Sequence, residues 1–153
     1  MSWWSVHADR TVSERVPAPP DAVRDFYIDL DNIKLVHPLI VSVETLSRSE
    51  TQDGYQQSYR VVDRIPLGPF TIRTAYQTRL RVTVTGDVLT EADQSPGVRL
   101  RGTVSFDPAD GGTRVTERIR ISAPRLLAGV TIREAVKAHI EMLAGIRHHF
   151  ESG

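Results

Sequence analysis

The stretch TIREAVKAHIEMLAGIRHHFE, residues 131–151, decides how the rest of the chain is read. At roughly 100° per residue, Ile132, Val136, Leu143, Ile146 and Phe150 fall on one side, and Arg133, Glu134, Lys137, Glu141 and His148 fall opposite. That period predicts one amphipathic helix, about 30 Å long at about 1.5 Å per residue. Thr131 and Glu134 have the spacing of a capping box, so the helix is expected to start at Thr131, with Gly153 marking its end. His139 lies within the apolar arc. A rod of this length needs a broad apolar surface to receive it, and the preceding sequence supplies one.

From residue 40 to residue 123 the periodicity is two. It is interrupted at Asp53-Gly54, at Pro66-Leu67-Gly68-Pro69, at Gly86-Asp87, at Ser95-Pro96-Gly97 and across 107–112. These breaks predict six strands, 40–50, 55–65, 70–85, 87–93, 98–106 and 113–122, joined as consecutive hairpins. One face is apolar and the other is rich in Arg and Thr. Ile72, Tyr76, Leu80, Val82 and Val84 oppose Arg73, Arg79 and Arg81, while Val98, Leu100, Val104 and Phe106 oppose Arg99 and Arg101. Before them, 11–16 alternates as a strand that places Glu14 with Val12 and Val16. The helical period then returns in 21–30 and 31–37, and Pro38 ends the second piece, leaving His37 at a bend. The fold class is α+β: a seven-stranded antiparallel sheet that curves, two short helices between strands 1 and 2, and the long helix over the apolar face.

The totals set limits on function. A length of 153 residues, 40% hydrophobic and 25% charged, suits a single domain over 1–153 with its own core. Nineteen basic residues balance nineteen acidic ones, so the field that nucleic acid or an anionic membrane surface demands is missing overall, and neither nucleic acid nor another polyanion is expected as a partner. The absence of cysteine removes disulfides, thiol nucleophiles and zinc-thiolate sites and fits a cytoplasmic location. No apolar run is long enough to span a membrane, and no secretory leader is recognisable. Seventeen of the nineteen basic residues are Arg, which nothing in the sequence explains.

The element order, together with Ala18-Pro19-Pro20-Asp21-Ala22-Val23, then Phe26, Leu30, Asp31 and His37-Pro38, resembles the START-like superfamily, also called helix-grip or SRPBCC, which includes polyketide cyclases and dehydratases and lipid-transfer domains. Gly112-Thr113-Arg114-Val115-Thr116 is similar to the opening of that family's last strand. The resemblance covers nearly the whole chain. It implies a helix-grip fold with a cavity between sheet and helix that holds a lipid, polyketide or other apolar molecule. It implies no single reaction, because that fold serves transporters, sensors and cyclases alike.

Five residues are candidates for contact with such a ligand: His37, Tyr59, Tyr76, Glu117 and His139. An imidazole at His139 on the gripping face bonds a ligand carbonyl or moves a proton near neutral pH, unless a strand side chain already satisfies it. His37 stands at the cavity entrance or caps the helix before it. Tyr59 and Tyr76 alternate with apolar residues and offer a ring and a hydroxyl; ordinary packing is the rival reading. Alternation places Glu117 inward with Val115 and Ile119, where it meets Glu14, pairs with Arg147 as a structural ion pair, or has its pKa raised for acid-base work. Asp63 poses the same question. Trp3 and Trp4 are a partner contact, a membrane touch or, the favoured reading, a strand end that folds onto the body, and the hairpin tip at Pro66 to Phe70 is a lid, an oligomer contact or a cap on the helix end. No motif names a catalytic set, a cofactor or a metal site. The leading expectation is binding of a small to medium hydrophobic molecule; an aromatase, cyclase or dehydratase is the alternative, and a non-catalytic interaction module, possible as a homodimer, is the third.

Overall fold

The computed structural model describes residues 4–95 and 97–152. Strand β1 (Ser5–Val16) leads into helices α1 (Pro20–Ile28) and α2 (Leu30–Val36). Strands β2 (Ile40–Thr51), β3 (Gly54–Leu67), β4 (Phe70–Thr83), β5 (Val88–Gln94), β6 (Val98–Ala109) and β7 (Gly112–Pro124) follow as a meander, and α3 (Arg125–Glu151) closes the chain. The seven strands form one antiparallel sheet in the order β1-β7-β6-β5-β4-β3-β2. The turn residues do the work expected of them. Gly54 sits at φ 153° between β2 and β3, where a Cβ would come within 1.9 Å of the Val82 carbonyl oxygen.

Alternation sorts the two faces as the sequence requires. Val115, Glu117, Ile119 and Ile121 of β7 point inward and are buried. On the outer face, side chains form an ion ladder: Arg79 bonds its register partner Glu91 at 2.6 Å across β4 and β5, and Arg101 bonds Asp93 diagonally at 3.2 Å across β5 and β6. This is where much of the arginine goes. The apolar side is filled unevenly. Near α1 and α2 it is packed solid with Val16, Val23, Phe26, Leu30, Tyr59 and Ile146. Toward the start of α3 it is not, and the pocket described below occupies that half.

Several expectations need correction. Helix α3 starts at Arg125, so Thr131 and Glu134 lie well inside it and form no cap. Pro124 ends β7 in extended conformation, and the Trp4 carbonyl accepts the Arg125 N–H at 2.7 Å, so the neighbouring strand supplies what a side-chain cap would otherwise provide. Gly153 and Trp3 lie outside the described residues. Trp4 keeps 66% of its surface exposed, and Val84, expected on the apolar face, is 79% exposed just beyond the end of β4. Glu14 turns to the helix edge, where Arg147 bonds it at 3.1 Å, and does not approach Glu117, because the Cα partner of Glu117 on β1 is Val12. At the hairpin tip the Phe70 ring is 72% exposed and so does not cap the helix end.

Helix α2 approaches α3 closely at Gly145, where a Cβ would lie 2.8 Å from the Val36 Cβ. Gly129 of the same helix has nothing within 4 Å. Gly145→Val is therefore expected to cost about 2 kcal/mol or more by forcing α2 off the core, whereas Gly129→Ala gains up to about 1 kcal/mol from helix propensity. Urea unfolding of the two variants checks the opposite signs.

Candidate functional site

Three elements meet at one buried carboxylate. Glu117, 2% exposed, points from the middle of β7 toward α3. Tyr27, on the buried face of α1, donates its hydroxyl to Glu117 Oε2, and His139 of α3 donates Nδ1–H to Oε1 at 2.8 Å. A carboxylate taken from water is costly unless both oxygens are bonded and its charge is matched. Here both conditions are met. Burial alone would lower the His139 pKa, but the charge and hydrogen bond of Glu117 outweigh it and hold the imidazole above its ordinary value. Burial and the same carboxylate push the Tyr27 hydroxyl well up, so it stays a donor. His139 Nε2 has no hydrogen-bond partner among the described residues, and its side chain retains 16% exposure.

A second acid stands across the inner face. Asp63 of β3 accepts the Tyr76 hydroxyl from β4, which lies 3.1 Å from each carboxylate oxygen. Burial raises Asp63 to about 6, against the opposing pull of the Tyr76 hydrogen bond and the His139 charge. His37, the residue that ends α2, packs its ring edge-on to His139 at 5.8 Å between centroids. Its Nδ1 accepts the Leu39 N–H at 3.2 Å, so the neutral ring carries its proton on Nε2. Burial, reinforced by the charge of His139, drops its pKa to about 3. Of two adjacent imidazoles, one is shifted toward its charged form and the other toward its neutral form.

These groups border a pocket of about 310 Å³ between the sheet and the N-terminal half of α3. His37, Asp63, Tyr76 and His139 are in its wall; apolar lining comes from β3, β4, β6 and α3, including Ile65, Ile72, Leu100 and Val130. The structure thus gathers three of the five candidates. The other two are elsewhere. Tyr59 is packed in the filled half of the core with its hydroxyl bonded to the Ile28 carbonyl at 3.1 Å, which corrects the expectation that it lines the cavity. Glu117 lies one residue behind the wall and acts on the pocket only through His139; the Arg147 pairing expected for it goes to Glu14 instead. Sequence reading also missed Glu134, assigned to the polar face yet part of the pocket wall with 18% of its side chain exposed. The helix crosses a curved sheet, so its buried arc is wider than the apolar stripe suggests. Among the described residues, no group of three or more His, Asp or Glu is placed to hold a metal ion, and no helix is long and apolar enough to cross a membrane.

The architecture is that of a helix-grip protein. Residues 7–148 match the family model described as polyketide cyclase / dehydrase and lipid transport, and the chain belongs to that family. Among solved structures, a protein from Thermus thermophilus superposes with a TM-score of 0.71 at 20% identity, covering 97% of both chains. The Zhui aromatase/cyclase from a Streptomyces species gives 0.64 at 18% identity over 94% of each chain. A STAR-related lipid transfer protein from Xanthomonas axonopodis gives 0.62 at 18% identity, covering 99% of this chain and 96% of that one. At such identities the likeness is one of fold. No protein of curated function matches the sequence.

The raised pKa of Asp63 has a signed consequence for stability. Its folded value of about 6 exceeds the ordinary 3.8 expected of the unfolded chain, so the folded state holds this proton more tightly. The associated stability is fully present below the unfolded pKa and is lost as pH rises through about 6. The loss is on the order of 3 kcal/mol, and Asp63→Asn should remove it. Urea denaturation at about pH 4 and about pH 7 is expected to show wild type losing that amount relative to the variant; a difference that does not change with pH would contradict the assignment.

Proposed function

We propose that the pocket binds a compact apolar molecule carrying a carbonyl or enol oxygen, and that His139 Nε2 bonds that oxygen. The observation that carries this reading is the division of labour on one ring: Nδ1 is fixed by Glu117 while Nε2 is left without a partner among the described residues, in the wall of an otherwise mainly apolar pocket. With 16% of the side chain exposed, this nitrogen is open to the pocket, and a ligand oxygen there would take the place of water as its acceptor. The volume of about 310 Å³ lies at the lower end for small-molecule sites, which favours a small ring system or short chain over a two-chain lipid. The family description, which names polyketide cyclisation and lipid transport together, is consistent with an apolar ligand.

A second reading, proton-transfer chemistry on that ligand, is favoured by Asp63. A carboxylate with a pKa of about 6, sharing the wall with a donor held in its charged form, is a matched base and electrophile. Asp63 takes a proton from the carbon next to a ligand carbonyl, and the electron pair moves to the carbonyl oxygen, where His139 Nε2–H stabilises the enolate. The enolate then either expels a β-hydroxyl as water, the proton coming back from Asp63, or attacks a second carbonyl and closes a ring, the new alkoxide taking the proton from Asp63. Glu117 and Tyr27 touch no reacting atom; they position His139 and maintain its charge.

Native mass spectrometry of the purified protein and titration with a fluorescent fatty acid and a bicyclic polyketide mimic test the first reading. Stoichiometric binding of at least one probe is expected, with His139→Gln weakening it roughly tenfold or more through loss of a charge-assisted hydrogen bond. Saturation by neither probe at any soluble concentration counts against it. For the second reading, Asp63→Asn should lower kcat on a β-hydroxy ketone mimic by about a hundredfold with KM nearly unchanged, and the wild-type rate should rise with pH through about 6. Loss confined to KM would leave only the binding role.

A further inference from the structure

The end of the sheet at which α3 begins differs from the opposite end in both apolarity and charge. Register places the β3–β4 turn, the β5–β6 turn, the start of β1 and the β7–α3 junction together, since Leu67 pairs with Phe70, Gln94 with Val98 and Ser5 with Pro124. Large apolar side chains stand out into solvent there: Phe70, Ile72 and Leu126, the last 96% exposed, with Trp4 beside the first turn of α3. Ile72 belongs to both this rim and the pocket wall, which reaches the surface there and at Ser95. Isolated exposed apolar residues are ordinary, but several gathered around one pocket mouth are not.

Charge divides along the same axis. Segments 4–8, 64–73, 95–99 and 122–130 contain Arg64, Arg73, Arg99 and Arg125 and no Asp or Glu. The turns at the far end, 51–54, 83–88 and 107–112, contain Asp53, Asp87, Asp107 and Asp110 and no Lys or Arg. Arg99 is held by Asp93 at 3.5 Å, whereas Arg64 and Arg73 face one another across β3 and β4 at exposed positions, Arg64 in a wall it shares with Lys137, Glu134 and Glu141 of α3. In a chain of zero formal charge the mouth-end turns thus carry arginine with no acid in the same segments, whereas at the far end Arg81 bonds Asp53 at 3.2 Å and Arg114 stands opposite Asp107.

The geometry points to docking of this end, pocket mouth first, on an anionic phospholipid bilayer. Apolar side chains ringed by arginine suit the boundary between headgroups and acyl chains, where buried apolar area and attraction to anionic lipid add. Each arginine near such a surface contributes roughly fivefold in partitioning. The exposed Phe70, Ile72 and Leu126 at the mouth set the orientation. Docking stands apart from the ligand's identity; only its purpose, passage of an apolar molecule between bilayer and pocket, rests on the binding role proposed above.

Sedimentation of the unliganded protein with vesicles tests it. Vesicles of equal parts phosphatidylcholine and phosphatidylglycerol should carry the protein down, those of phosphatidylcholine alone roughly tenfold less. Phe70→Asp, Leu126→Asp and the double change Arg64→Glu with Arg73→Glu should each weaken sedimentation roughly tenfold or more, and added salt should weaken wild type. Val84→Asp, at an exposed position on the far end, should leave it unchanged, and unaltered melting temperatures establish that the variants fold. The proposal is overturned if the anionic vesicles leave wild type in solution, or if Val84→Asp acts as strongly as Phe70→Asp. It is equally overturned if light scattering finds a dimer that Phe70→Asp dissociates while vesicles carry down neither form. Binding of the fluorescent probes without vesicles reads the pocket separately, so failure of one proposal is distinguishable from failure of the other.

Discussion

A carboxylate sealed inside the protein governs how its parts are arranged. Glu117 belongs to β7, its two partners to α1 and α3, and no one of these elements can shift without leaving a buried oxygen or donor unsatisfied. The requirement explains why α3 is held at a fixed rotation over the sheet. Helices packed only by apolar contacts slide and turn at small cost, whereas a hydrogen bond at 2.8 Å to a side chain in the sheet sets both depth and rotation. The same bond leaves the far nitrogen of His139 to the pocket. Structural satisfaction and chemical availability are thus two sides of one ring, and the positive charge the carboxylate sustains on His139 helps keep the adjoining His37 neutral.

The outer face answers a different constraint. A sheet whose second face meets water needs side chains that favour solvent and still support pairing, and cross-strand ions provide both. Each exposed pair contributes little, but the rungs from Arg79 through Glu91 and Asp93 to Arg101 share partners and so reinforce the pairing of β4, β5 and β6. At the free edge, β2 carries two register irregularities and exposed Glu44, Arg48 and Glu50, which discourage pairing with another chain.

The strand count and turn positions were legible because Asp53-Gly54, Gly86-Asp87 and the run through Gly111 and Gly112 carry the turn chemistry locally. The start of α3 was not, because a backbone carbonyl from the opening of the chain, over a hundred residues earlier, serves its first amide, and no local spacing encodes that contact. The site was half legible. Alternation correctly turned Glu117, Tyr59, Tyr76 and Asp63 inward, and helical phase did the same for His139. Periodicity reports a face, however, and not a position along it. Tyr59 and Tyr76 share the inner face, yet α1 and α2 fill the half around Tyr59 and leave open the half around Tyr76. Tyr27, the second partner of Glu117, read as an ordinary core residue, and only the packing of α1 against β7 discloses its bond.

Strand β1 lies hydrogen-bonded along β7 from Ser5 opposite Pro124 to Val16 opposite Thr113, so the first strand made waits for the last. During synthesis the hairpins from β2 to β6 can pair as they emerge, but their apolar face has no cover until α3 follows. Glu117 likewise acquires its second donor only when residue 139 arrives. Formation of the core is therefore held back until α3 has been translated, and until then the nascent chain is a client for whatever shields uncovered sheet.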